Sequence, residues 1–182
     1  LALLVAAPIL RIGLSAMKNH AVWWTPDLLQ TLLASISAET GQQYLGAWSR
    51  LGLAHPGPAW FYWAARFVRL SGDQPWGLVM AASALAALSC ALIVIRVGRV
   101  AGTVSALAVT SVLLVGLFRL NLLGASAPWH PTILILPLTC GIVCLGEVLH
   151  RGSVPGILIA SACGAIVAQA HLGSLPLGLA LI

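Results

Sequence analysis

Charge is what this chain has least of. Nine Lys/Arg and four Asp/Glu are spread over 182 residues, far below the quarter or so of charged residues that a soluble domain carries. The nine cations form no cluster, which excludes a nucleic-acid footprint. No glycine-rich phosphate loop and no Ser-His-Asp order is present, so soluble nucleotide chemistry has no support. Cysteine is also scarce and sits in apolar runs, at Cys90, Cys140, Cys144 and Cys163. Cys140 and Cys144 share a helix face, but no His or carboxylate at ligand spacing joins them within the run. All four read as small apolar fillers rather than a disulfide or zinc framework.

Long hydrophobic runs are what the chain does have. It is 60% hydrophobic, with a mean hydropathy of +1.00, which places it among integral membrane proteins. A spanning helix takes about 20 apolar residues. Residues 76–95, 101–123, 131–149 and 155–182 each approach that length. With an apolar first segment they predict one all-α transmembrane domain over 1–182, with about five spans. A start at Leu1 and an end within an apolar run read as a fragment of a longer membrane protein.

Residues 18–75, between the first and second spans, are different in kind. They are rich in Trp, Gln, Ser, Gly and Pro and hold Asp27, Glu39 and Asp73, three of the four acids. Thr25-Pro26-Asp27 is a helix start: a Thr cap, Pro at the first position and an acid in the first turn. Leu28, Leu29, Leu32, Leu33 and Ile36 follow as a stripe at helical spacing, predicting a short interfacial helix. Residues 58–70 predict a second, with Trp60, Phe61, Tyr62, Trp63 and Phe67 beside Arg66 and Arg69, an aromatic belt with snorkelling cations.

Arg96 and Arg99 fall in one tight loop, and His150 and Arg151 in another. The positive-inside rule puts both in the cytoplasm, with residues 18–75 and 124–130 outside, at the cell membrane. Lys18, Arg50, Arg66, Arg69 and Arg119 then also lie outside, and a phosphate-bearing lipid would account for them. Asp73 reads as a helix-start residue, and Glu147 as the i,i+4 partner of Arg151.

This topology brings rare polar residues to one face. His55 precedes the second short helix, and Trp129-His130-Pro131 opens the fourth span. Gln169 and His171 lie in the fifth, His171 roughly 24 Å along a 30 Å core. Asp27 joins them from the outer segment. Each has a plainer reading: Asp27 as a helix-dipole residue, His55 and His130 as turn residues before proline, Gln169 and His171 as interhelical hydrogen-bond partners.

Gly46-Ala47-Trp48-Ser49-Arg50 and His55-Pro56-Gly57-Pro58 with its aromatics, followed by a train of apolar helices, resemble the GT-C superfamily of multi-pass glycosyltransferases. The chain is most similar to actinobacterial members with His-Pro-Gly-Pro, Trp-Asn-Pro and Gln-Thr-His patterns; here the last two read Trp129-His130-Pro131 and Gln169-Ala170-His171. The resemblance covers about residues 27–171. It implies a polyprenyl-phosphate sugar donor, an extracytoplasmic glycan or protein acceptor, and contact with membrane lipids. It also implies Asp27 as general base, with His55, Arg50, Arg66, Arg69, Trp129, His130, Gln169 and His171 around the substrate. Many members carry paired acids and use a divalent metal; Asp27 stands alone, and no cofactor or metal-ligand set is assigned. Two other functions remain open: a transporter or flippase whose Gln169 and His171 line a path, and a lipid-binding scaffold.

Overall fold

The computed structural model describes residues 1–19, 25–48, 52–119 and 127–182. All regular structure there is helical, apart from an isolated bridge between Trp48 and Ala54. The helices are α1 (Ala2–Asn19), α2 (Pro26–Glu39), α3 (Ala59–Leu70), α4 (Trp76–Arg119), α5 (His130–Arg151) and α6 (Val154–Ala170). A 3₁₀ turn (Leu172–Ser174) and a short α7 (Leu175–Leu179) follow. Among the described residues α1, α4 and α5 from Pro131 are long and apolar enough to cross a membrane; α6 is a shorter apolar helix. The protein is built as a membrane-embedded helical assembly.

α2 starts as its sequence requires, with Thr25 Oγ1 accepting from the Leu28 N–H at 3.2 Å and Pro26 opening the first turn. Its buried face differs from the expected leucine stripe. Leu28 and Leu32 point inward with Thr31, Ser35 and Ala38, while Leu29 and Leu33 are exposed. Thr31 and Ser35 can be buried because each hydroxyl donates to the carbonyl one turn back, at 2.8 Å. α3 buries Trp60, Phe61, Ala64, Ala65 and Val68 against α2, α4 and α6. Its other face shows Tyr62, Arg66, Arg69 and Leu70.

Asp73 is no helix start. It takes a left-handed φ of 60° in the turn that closes α3, a conformation Asp tolerates better than most residues. Ser71 organises the junction, its Oγ accepting from the Gln74 N–H at 3.0 Å. Gly77 at the start of α4 lies so close to Val68 that a Cβ there would come within 2.8 Å of its Cα.

The second and third spans are one unit folded at Gly102, whose φ of 83° and ψ of 177° turn α4 into a hairpin. Gly98 faces Ala106 across the bend, and Ile93 and Val97 cluster with Val109 and Leu113. α1 packs antiparallel to the first arm: Gly13 faces Met80 and Ser83, and Val5, Ala6 and Ile9 join Ala86, Ala87, Cys90 and Val94. Small residues allow that close approach, as between helices in lipid.

The break falls later than the expected loop, so Arg96 lies within the helix, buried. It meets Glu147 of α5, Nη1 lying 3.2 and 3.3 Å from the two carboxylate oxygens, with both side chains under a tenth exposed. Glu147 is therefore the partner of Arg96 and not of Arg151, which donates instead to the Val100 carbonyl at 3.1 Å. A charge deep in apolar surroundings is held only by a close counter-charge, and an intrahelical i,i+4 pair in water is worth far less. Both contacts gather the Arg96–Val100 stretch and the α5 C-terminus at one end of the bundle.

The fifth span is shorter than 155–182. α6 ends at Ala170, with His171 as an extended C-cap. The chain then doubles back: Gly178 abuts Ala168 so closely that any Cβ would strike its backbone, and Leu181 reaches Gly164 and Gly141. Gly173, Pro176 and Gly178 explain the break, since such a cluster punctuates a helix. Gly178 and Leu181 of that segment are buried against the bundle, while Leu172, Leu177 and Leu179 are exposed.

Truncating one member of the buried pair strands the other. Glu147→Ala is expected to destabilise the protein by about 3–5 kcal/mol, whereas an Arg96→Met/Glu147→Leu double variant should lose much less. Equilibrium unfolding of both variants in mild detergent checks this; equal losses would show that the pair contributes no coupling.

Candidate functional site

The site forms where the loop before α3 meets the end of α6. The loop is pinned first to itself. The Gly46 N–H donates to the His55 carbonyl at 3.0 Å, and the His55 N–H to the Ala47 carbonyl at 2.8 Å. Gly46 is required there, because a Cβ would come within 2.6 Å of the His55 Cβ. His55 is thus fixed by backbone pairing and is 7% exposed.

The same loop then docks on α6. The Gly57 N–H donates to the Gln169 carbonyl at 3.1 Å. A Cβ on Gly57 would lie 2.5 Å from Gln169 Oε1 and 2.7 Å from its Cγ, so a side chain there would have to displace that of Gln169. The His55 and His171 rings lie 4.8 Å apart, tilted by 32°. His55 Nδ1 accepts from the Leu172 N–H, and His171 Nδ1 from the Gly173 N–H, both at 3.1 Å. An N–H can donate only to an unprotonated ring nitrogen, so each neutral imidazole carries its proton on Nε2. A ring of that tautomer carries an Nε2–H donor, the kind of group that meets an anion or a sugar oxygen.

Burial first, and the neighbouring His171 second, push the His55 pKa below its ordinary 6.5. Protonating His55 would cost its bond to Leu172 as well as solvation. Among the described residues no group of three or more His, Cys, Asp or Glu could hold a metal ion. The four cysteines are free and buried.

The structure brings His55, Gln169 and His171 together. Trp129 is exposed at the N-terminus of α5, at the same end of the bundle, where Ile133 and Leu134 share a core with Trp60 and Phe61. His130 opens that helix. Asp27 is exposed in the first turn of α2, and its carboxylate has no hydrogen-bond or ion-pair partner among the described residues. Arg66 and Arg69 occupy the exposed face of α3, away from the face packed on α6. Arg50 lies outside the described residues. Gly46 and Gly57 are the site residues that sequence reasoning passed over as positioning groups. The signal for Gly57 was there, a glycine between two prolines beside a histidine. No family model, curated protein or solved structure matches this chain.

Two expectations follow. His55 binds a proton less readily in the folded protein, so its contribution is complete above about pH 6.5 and is lost as pH falls through the lower folded value. Amide protection at Leu172, corrected for the intrinsic pH dependence of exchange, should therefore fall on acidification in the native protein and stay flat in a His55→Asn variant. Gly57→Ala should cost about 1–3 kcal/mol through overpacking on Gln169. Gly146→Ala, in an α5 position with open space beside it, should instead be neutral or gain up to about 1 kcal/mol. Thermal unfolding of the two variants decides between these signs.

Proposed function

We propose that this protein is a GT-C-like glycosyltransferase moving a sugar from a polyprenyl-phosphate donor to an extracytoplasmic acceptor. The observation that supports it best is the meeting of His55 with Gln169 and His171 at one end of an apolar bundle. In this reading α1, both arms of α4, α5 and α6 cross the cell membrane, and the Arg96–Arg99 stretch and Arg151 face the cytoplasm. The site then opens to the outside at headgroup depth.

The chemistry needs few parts. A lipid-phosphate sugar is already activated, so the protein must orient the acceptor, take its proton and stabilise the departing phosphate. Asp27 is the proposed base. As the acceptor oxygen bonds to the anomeric carbon, the bond from that carbon to the phosphate oxygen breaks, and the electron pair leaves with the lipid phosphate. The exposed Arg66 and Arg69, with Arg50, are the cations proposed to hold that phosphate. His55 and His171 donate from Nε2, while Gln169, Trp129 and His130 shape the sugar pocket. One feature favours a transporter instead: the helix broken at His171 with its doubled-back segment, a device that transporters use to form substrate sites.

Asp27→Asn keeps size and removes proton acceptance. Transfer from a polyprenyl-phosphate sugar should fall roughly 100-fold or more, while folding changes by at most about 1 kcal/mol. A native transfer rate would remove Asp27 as base. Sugar-lipid counterflow without transfer in reconstituted vesicles would favour the transporter.

A further inference from the structure

α1 carries a polar stripe on the face it turns away from the bundle. Arg11, Ser15 and Asn19 stand at i, i+4 and i+8, with Lys18 beside them, and all four are exposed. Asn19 Nδ2 donates to Ser15 Oγ at 3.2 Å, so the upper rungs are already linked. The opposite face, with Val5, Ala6, Ile9 and Gly13, is the one that packs on α4. Arg11 lies about 12 Å below the Asn19 end of the helix at 1.5 Å per residue, which is within the apolar layer.

A cation at that depth demands a counter-charge, and among the described residues none is paired with Arg11. Glu147 is bound to Arg96, and Asp27, Glu39 and Asp73 are exposed in the segment between α1 and α4, with no ion pair to Arg11. We propose that the Arg11–Ser15–Lys18–Asn19 stripe is a binding site for the phosphate headgroup of an anionic phospholipid, in the leaflet at the His55 end. Three points select this occupant. The donors climb continuously from Arg11 to the helix end, as a headgroup drawn down from the interface requires; a single carboxylate on a partner helix would need Arg11 alone. The long Arg11 stem can snorkel toward that headgroup. The stripe belongs to α1, which packs on α4, while His55 and His171 are held by α3 and α6. It therefore suits a resident lipid rather than a sugar donor that must reach the site.

The test reconstitutes the protein in nanodiscs of phosphatidylcholine containing a minority of phosphatidylglycerol, or of undecaprenyl phosphate, and counts retained lipid by native mass spectrometry. Phosphatidylglycerol should be enriched over its bulk share. Arg11→Leu should lower that enrichment about five-fold, the weight of one juxtamembrane cation on anionic lipid. Arg11→Lys should keep most of it. Lys18→Leu, at the solvent end of α1, gives the same reading should Arg11→Leu fail to fold. The proposal is overturned by no enrichment in the native protein, by enrichment that survives both Leu variants, or by preferential retention of undecaprenyl phosphate. It is equally overturned if Arg11→Leu instead dissolves an oligomer, which would make the stripe a helix–helix contact.

Discussion

Everything at the functional end of this molecule depends on how one helix is allowed to stop beside a bilayer. The last turn of α6 leaves carbonyls without intrahelical donors. The chain supplies its own donors. The Gly57 N–H takes the Gln169 carbonyl, and the Ser174 hydroxyl lies 2.8 Å from both the Val167 and His171 carbonyls. The released Leu172 N–H goes to His55. The backbone demand that ends the helix is therefore the same demand that fixes an imidazole, and the two glycines exist so that the partners can come close enough. Site and fold are one hydrogen-bond account.

Charge is handled with the same economy at the other end. Arg96 and Glu147 neutralise each other inside the bundle and join the α4 hairpin to α5, while Arg151 closes on the Val100 carbonyl. A pair of this kind adds little net stability compared with apolar packing, but it penalises every arrangement in which one member lacks the other. Helices that could otherwise slide along uniformly apolar faces thereby gain a register. Arg11 on α1, which has no ion-pair partner among the described residues, is the cation for which a lipid phosphate is proposed.

The residue pattern made some elements legible and concealed others for identifiable reasons. Capping chemistry is local, so Thr25-Pro26-Asp27 announced α2 and the Trp60–Phe67 aromatics announced α3, each to within about a residue. Which leucines of α2 turn inward was not local. Thr31 and Ser35 could take the buried face only because their hydroxyls bond back to the helix, and hydropathy does not register that. Length counting placed a loop at Arg96 because a buried arginine looks improbable until its carboxylate is found 51 positions away. The same counting ran the last span through Gly173, Pro176 and Gly178, although those residues argued for a break. Of the expected site, the His55–Gln169–His171 cluster was visible as rare polar residues at one membrane face. The placing of Asp27, Arg66 and Arg69 on exposed faces was not, since their orientation is set by packing against α3 and α6.

That division bears on what the site can do. The clustered residues are buried or half-buried donors on rigid backbone, suited to holding a neutral or anionic group in one pose. The charged residues proposed for the chemistry, Asp27, Arg66 and Arg69, stand at exposed helix positions. In the proposed reading, a lipid-linked substrate would bring the negative charge of its phosphate to the arginines. The apolar tail would remain in the layer that the bundle already occupies. The transferase proposed above would use that division, with its substrate held at the membrane surface.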